Sequence, residues 1–258
     1  MKRALITGGA KRLGRAMALY LAGRGCDVAI HYNGSQDAAE DTAAQARALG
    51  VRTAIVQADL LDEDQVTQLV GQAANALGGP IDMLINNASI FEADGFDDAT
   101  RTSWDRHMES NLRAPFVLIQ QFAAQAPPAA TIEGEPMARA LVINMIDQRV
   151  LKLTPEFLSY TLAKSALWTL TRTAAQALAP AIRVNGIGPG PTMQGARQSS
   201  AQFQTQRRAT VLERGASPAE ICAALGYFID APAVTGQMIC VDGGQHLAWQ
   251  TPDVMGVE

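Results

Sequence analysis

Tyr160 and Lys164 stand four residues apart in a stretch of helical periodicity, so a phenol and an ammonium share one helix face. A free phenol, with a pKa of about 10, is a poor proton partner at neutral pH. A fixed ammonium nearby stabilises the phenolate and is expected to bring that pKa toward the working range. The pair is therefore a candidate for acid–base catalysis. A second candidate lies near the N-terminus, where Thr7-Gly8-Gly9-Ala10-Lys11-Arg12-Leu13-Gly14 follows a short apolar run and opens an Ala-rich helical stretch. Glycines there permit a tight turn and a close backbone approach to a pyrophosphate. The helix N-terminus adds unpaired N–H groups and a favourable dipole. Gly8, Lys11, Arg12, Leu13 and Gly14 are the expected contacts.

Short apolar runs alternate with longer helical stretches, the pattern of a parallel sheet covered on both faces. Strands are expected over Ala4–Thr7, Asp27–Tyr32, Thr53–Gln57, Ile81–Asn86, Leu141–Met145, Ile182–Ile187 and Gln237–Val241. Helices are expected over Gly14–Arg24, Asp37–Leu49, Glu63–Ala76, Trp104–Ala124, Glu156–Ala179 and Pro218–Ile229. The fold class is thus α/β: one Rossmann-type, doubly wound parallel sheet of about seven strands flanked by helices. Residues 1–258 read as a single domain, with no repeat or break. The Gln-, Ser- and Gly-rich segment over 189–215 is too long for a plain connection and reads as a substrate lid. Pro127–Pro136 reads as a surface loop.

A formal net charge of −4, with both signs scattered, argues against nucleic acid as a partner. No stretch approaches the length of a membrane span, and the N-terminal apolar run is too short for a signal peptide. Cys26, Cys222 and Cys240 are too few and too far apart for a disulfide frame or a metal site. No metal is expected, and a reducing cytoplasm is the expected compartment. The dinucleotide type is read at the end of the second strand. An NAD site calls for an acid about twenty residues after the glycine loop, to accept from the ribose 2′-OH. Here the strand ends His31-Tyr32-Asn33-Gly34-Ser35, without an acid, while Lys11 and Arg12 put two cations in the loop. Cations and hydroxyl donors suit a 2′-phosphate, so NADPH is the expected cofactor, with His31, Tyr32, Asn33 and Ser35 near it.

Together with the glycine loop, Asp59-Leu60, Asn86-Asn87-Ala88, Asn111, Tyr160/Lys164, Asn185, Pro189-Gly190 and Val241-Asp242-Gly243-Gly244 follow in order over nearly the whole chain. In this the sequence resembles the short-chain dehydrogenase/reductase family. The resemblance implies that Tyr160 donates the proton, that Lys164 holds the nicotinamide ribose and lowers the tyrosine pKa, and that Asn111 orders a water relay. It further implies that Asp59 and Leu60 lie by the adenine, that Asn87 and Ala88 line the cofactor groove, and that Pro189 and Gly190 pass beside the nicotinamide. Family members commonly form tetramers, so a homotetramer is the implied assembly.

Two departures narrow the reading. Arg12 stands where most members have a third glycine, and Asp147 where most have a serine. A carboxyl group whose pKa is raised by burial can hold a proton for a ring nitrogen as hydride reaches the adjacent carbon. With His31-Tyr32 and Asn87-Ala88-Ser89-Ile90-Phe91, these departures resemble the pteridine reductase branch, which reduces dihydropterins or dihydrofolates with NADPH. That resemblance implies that Asp147 assists Tyr160, that Phe91 stacks a pterin, and that Arg12 and Ser89 contact cofactor phosphate and substrate. Thr192 and Met193 would belong to the substrate lid. A carbonyl reductase of the same family, or a non-catalytic NADPH-binding protein, are the competing readings; the second leaves Tyr160, Lys164 and Asn111 without a purpose. His107 and His246 have no partner motif and read as structural or solvated.

Overall fold

In the computed structural model, which describes residues 1–195 and 198–251, the apolar runs become strands buried on both faces. The order along the chain is β1 (Arg3–Ile6), α1 (Arg12–Gly23), β2 (Asp27–Tyr32), α2 (Gln36–Ala48), β3 (Thr53–Gln57), α3 (Glu63–Ala76) and β4 (Met83–Asn86). It continues with α4 (Arg101–Met108), a π-helical turn over Glu109–Arg113, α5 (Ala114–Gln125), a small hairpin of β5 (Ala130–Ile132) and β6 (Glu135–Met137), and β7 (Ala140–Met145). A 3-10 turn over Gln148–Leu151, α6 (Leu158–Ala177), β8 (Ile182–Pro189), α7 (Ser200–Arg208), α8 (Pro218–Asp230) and β9 (Met238–Val241) complete it.

Seven of these strands form one sheet in the order β3-β2-β1-β4-β7-β8-β9, with every pairing parallel. Side chains alternate across it. Ala4 and Ile6 of β1 pack with Met17, Leu21, Leu225 and Phe228, whereas Leu5 packs on the other face with Leu69, Leu84, Phe122 and Val142. Helices cover both faces, which explains why the strands read as unbroken apolar runs. Truncating Phe122 or Phe228, each fully buried, to alanine costs about 3–5 kcal/mol at such positions. Among the described residues no helix is long and apolar enough to cross a membrane.

Strand order reverses between β1 and β4, so the segments leaving them diverge to opposite faces and open a crevice at their C-terminal ends. The glycine loop leaves β1 there, and Asn87-Ala88 leave β4. Three local expectations need correction. The helix expected over Trp104–Ala124 is split into α4 and α5 by the π turn, which bonds one residue further than an α-helix and shifts the facing residues. The loop expected over Pro127–Pro136 contains the β5–β6 hairpin, turned at Glu133 (φ 52°) and Gly134 (φ 84°). The long segment after β8 carries α7, whose start is fixed by a capping box between Ser199 and Gln202. Residues 196–197 of that segment, and 252–258 of the expected domain, lie outside the described residues.

Candidate active site

The crevice is a cleft of about 540 Å³ running from the glycine loop to Tyr160. At its first end Gly8 adopts φ +60°, and a Cβ on Gly14 would lie 2.1 Å from the Gly8 carbonyl oxygen and 2.6 Å from Asn87 Nδ2. Only a chain without a side chain fits there. The loop is tied to the end of β4: Asn87 Nδ2 donates to the Thr7 carbonyl (2.8 Å), and Thr7 Oγ1 accepts the Asn87 and Ala88 amides (2.9 and 3.0 Å). Lys11 is the N-cap of α1 and makes no side-chain cap, so no side chain from that position covers the first helical amides. Bare amides, a glycine cradle and an open cleft fit a dinucleotide pyrophosphate.

The residues expected around the ribose fall into two groups. Tyr32 is half-buried and Asn33 exposed, while Ser35 is the N-cap of α2 without a capping bond from its hydroxyl. His31 is instead a strut beneath the loop. It is 2 % exposed, its Nδ1 accepts the Gly8 amide (3.0 Å), and its Nε2 donates to the Ala58 carbonyl (3.0 Å). Burial holds its pKa below the usual histidine range, in keeping with this neutral role. Asp59 accepts the Leu61 amide (3.0 Å), and Leu60 is buried in the core behind it. Arg12 adopts φ 52°, and its guanidinium crosses to the segment after β8, donating to the carbonyls of Gln194 (2.8 Å) and Met193 (3.1 Å). Lys11 is exposed and, among the described residues, has no side-chain hydrogen bond or ion pair.

At the other end, Tyr160 Oη donates to Asp147 Oδ2 at 2.9 Å, and Asp147 Oδ1 accepts the Arg149 amide at 2.8 Å. Lys164, one helical turn on from Tyr160, is buried and donates to the Met145 carbonyl (2.7 Å). Burial pushes its pKa down to about 8, against the pull of Asp147. Burial likewise raises the Asp147 carboxyl, even though the Arg149 amide and the Tyr160 hydroxyl pull the other way. The phenol of Tyr160 is driven well above its ordinary value, first by burial and then by the Asp147 charge. This corrects the expectation that Lys164 draws the phenol down: the ammonium is engaged at Met145, and burial dominates. The two acids thus share a site in which burial disfavours both ionised forms.

Phe91 is not core. Half its surface is exposed and it lines the cleft, with its ring stacked on Phe157 (centroids 4.3 Å apart) and edge-on to Tyr160 (4.7 Å). The segment carrying it is strapped at three points. Asn111 Oδ1 accepts the Ile90 amide (2.9 Å) and the Ser89 hydroxyl (3.1 Å), and its Nδ2 donates to the Ile90 carbonyl (2.8 Å). His107 Nε2 accepts the Glu92 amide (3.2 Å), which leaves Nδ1 to donate to Ser159 Oγ (2.6 Å). Ser159 in turn donates to Asp94 through both its hydroxyl and its amide. Asp94 also accepts the Leu158 amide through its main-chain carbonyl, so it caps the helix that carries Tyr160. Sequence reasoning missed this His107–Ser159–Asp94 clasp, although Ser159 directly precedes Tyr160.

Pro189 ends β8, and a Cβ on Gly190 would meet Asp242 at 2.5 Å. Thr192 is buried and donates to the Gly190 carbonyl (3.1 Å), while Met193 faces the cleft. Arg207, another residue the sequence did not single out, closes the base of the segment by donating to the carbonyls of Pro191 (2.9 Å), Gly215 (3.1 Å) and Ala216 (2.7 Å).

A family model described as enoyl-(acyl carrier protein) reductase matches residues 8–246. The chain is 29 % identical over 252 residues to the 3-oxoacyl-[acyl-carrier-protein] reductase FabG of Staphylococcus epidermidis, covering 95 % of this chain and 99 % of that protein. It is 45 % identical to FolM alternative dihydrofolate reductase 1 from Brucella suis, solved in complex with NADP, with a TM-score of 0.90 and 98 % of each chain covered. The angucycline C-6 ketoreductase LanV with bound NADP is 28 % identical, with a TM-score of 0.86 over 95 % of this chain and 96 % of that one.

Proposed function

The chain belongs to the short-chain dehydrogenase/reductase family, and from that premise we propose that it reduces a pterin ring, taking a dihydropterin or dihydrofolate to the tetrahydro form with NADPH. The observation that carries this reading is the hydrogen bond between Tyr160 and Asp147 at the foot of a cleft overlooked by the open face of Phe91. A ketone needs one proton donor beside its oxygen. A ring C=N needs a proton delivered to nitrogen, and a carboxyl whose pKa is raised by burial is suited to that. The likeness to FolM alternative dihydrofolate reductase 1 supports the same substrate class.

When bound, the nicotinamide supplies the hydride. The pyrophosphate would be held by the glycine loop and the first amides of α1, and Lys11 and the Ser35 hydroxyl would meet a 2′-phosphate. Lys164, anchored at Met145, would hold the nicotinamide ribose. Pro189 and Gly190 would pass beside the ring. Phe91 offers a flat apolar surface to the pterin, a geometry aromatic rings favour. The proton for the substrate nitrogen resides on the Asp147 carboxyl and Tyr160 hydroxyl, and the cleft gives solvent access for its replacement. The segment 189–215, pinned by Arg207 at its base and by Arg12 at Met193 and Gln194, acts as the lid. A tetramer in the cytoplasm is the setting this family reading implies.

A second reading, reduction of a ketone or quinone, has support in the relatives FabG and LanV, and Tyr160 can serve a carbonyl equally well. Loss of NADPH absorbance with dihydrobiopterin, dihydrofolate and a panel of ketones and quinones separates the two. Pterin-dependent oxidation preferring NADPH over NADH is expected; turnover with carbonyls alone would replace the first reading by the second.

A further inference from the structure

Among the described residues four cations line the cleft, Lys11, Arg12, Arg149 and Lys164, against a single acid, Asp147, although the chain as a whole carries a net charge of −4. The reading above accounts for three of them: Lys11 toward a cofactor phosphate, Lys164 toward the nicotinamide ribose, and Arg12 as the pin of the segment after β8. Arg149 is left over. It follows Asp147 by two residues in the 3-10 turn leaving β7, and its amide bond to Asp147 Oδ1 fixes its backbone beside the catalytic acid. Its guanidinium lies over the Phe157 ring, 5.0 Å from the centroid, and Phe157 stacks on Phe91. Nη1 donates to Thr154 Oγ1, whereas Nε is buried without a hydrogen-bond partner. Among the described residues no carboxylate forms an ion pair with it. The described residues that line the cleft from the segment after β8 and beyond include Gln198, Gln206, Gln245, Met193 and Phe203, none of them charged.

Resting on the pterin reading above, we propose that Arg149 is a subsite for a carboxylate on the substituent of the pterin ring, so that the enzyme selects acidic-tailed substrates over neutral ones. A ring lying along Phe91 sends its substituent outward, past Phe157 and under the guanidinium. Nη1 is engaged at Thr154, which leaves Nη2 and the unpartnered Nε as the edge on which a carboxylate would pair by charge-assisted hydrogen bonds. Asp147 is not the ion-pair partner of this cation: its carboxyl oxygens are taken by the Arg149 amide and the Tyr160 hydroxyl. The glutamines lining the cleft add amide donors without adding charge.

The test compares dihydrofolate, whose tail ends in carboxylates, with dihydrobiopterin, whose tail is neutral, in the wild type and in Arg149→Gln and Arg149→Lys. In Arg149→Gln the ratio of kcat/KM for dihydrofolate to that for dihydrobiopterin is expected to fall about 10- to 100-fold, carried by KM, with partial recovery in Arg149→Lys. In the wild type, added salt should raise KM for dihydrofolate and leave KM for dihydrobiopterin nearly constant, a measurement that needs no variant. An unchanged ratio together with a salt-independent KM would overturn the subsite while leaving pterin reduction standing. Absence of wild-type turnover with either pterin would overturn the functional reading, and the subsite with it.

Discussion

Asp147→Asn isolates the proton from the shape that holds it. An asparagine at this position keeps an oxygen to accept the Arg149 amide (2.8 Å) and a polar atom beside Tyr160 Oη (2.9 Å), so the turn and the phenol stay in place. What is lost is the transferable proton. A positioned general acid contributes about 10²- to 10⁴-fold, equivalent to about 3–5 kcal/mol of transition-state stabilisation. Pterin kcat is expected to fall by that factor, while the NADPH dissociation constant stays within about threefold, because Asp147 stands at the opposite end of the cleft from Gly8 and Gly14. The pH profile carries a second signature. Burial raises the carboxyl pKa, so the protonated, active form persists toward neutrality and is lost as pH rises through that raised value. The wild-type rate should therefore decline on its alkaline side, and Asp147→Asn should lack this limb. Stability moves the other way. An acid whose folded pKa is raised weakens the fold above its unfolded pKa, so the amide should raise the melting temperature at neutral pH and have little effect in acid. Steady-state turnover, NADPH fluorescence titration and thermal melts read the three effects. A pterin kcat within tenfold of wild type would falsify the assignment of the proton to Asp147.

Three further outcomes follow from the geometry. Lys11→Ala should weaken NADPH by about 5- to 30-fold and NADH much less, measured by fluorescence titration, since the ammonium is free to meet a 2′-phosphate; equal losses would place that contact elsewhere. Gly14→Ala, which forces a Cβ to 2.1 Å from the Gly8 carbonyl oxygen, should cost about 1–3 kcal/mol in urea denaturation and abolish nucleotide binding; a fully active, equally stable variant would show that the loop yields easily. Asp94→Ala strands the Ser159 hydroxyl and amide at the head of α6 and should cost about 1–3 kcal/mol. Burial pushes the Asp94 carboxyl up, but its bonds from Ser159 outweigh that and hold it below the usual range. Its stabilisation is therefore present at neutral pH and lost as pH falls through that lowered pKa, a loss that Asp94→Asn should not show in acid melts.

The sheet and its crevice were legible because each strand is a short apolar run bounded by turn residues, and because the glycine loop sits between a strand and a helix. Tyr160 and Lys164 were legible from their spacing. The state of Tyr160 was not: whether a phenol is drawn down or driven up depends on how completely it is buried and on which carbonyl the lysine prefers, both outcomes of packing. The π turn over Glu109–Arg113 escaped notice because one extra residue scarcely alters a helical periodicity. The His107–Ser159–Asp94 clasp joins residues up to 65 positions apart, and nothing local marks any of them. His31 read as a cofactor contact because it ends the right strand, yet alternation along that strand turns it inward, beneath Gly8. Arg149 drew no attention because a single arginine in a turn is ordinary until its neighbours are known.

The two ends of the cleft are built with unequal tolerance. At Gly14 and Gly190 one backbone lies against another and even a methyl group has nowhere to go, while Gly8 holds a left-handed conformation that other residues resist. Across the cleft, the wall formed by Gln198, Phe203 and Gln206 consists of side chains, two of them held by one bond between glutamine amides. Mutational drift will therefore be confined to one side. Exchanges in the α7 wall alter what is admitted while the sheet and the nucleotide cradle stand unchanged. A lineage built this way can wander among substrates while remaining bound to one coenzyme.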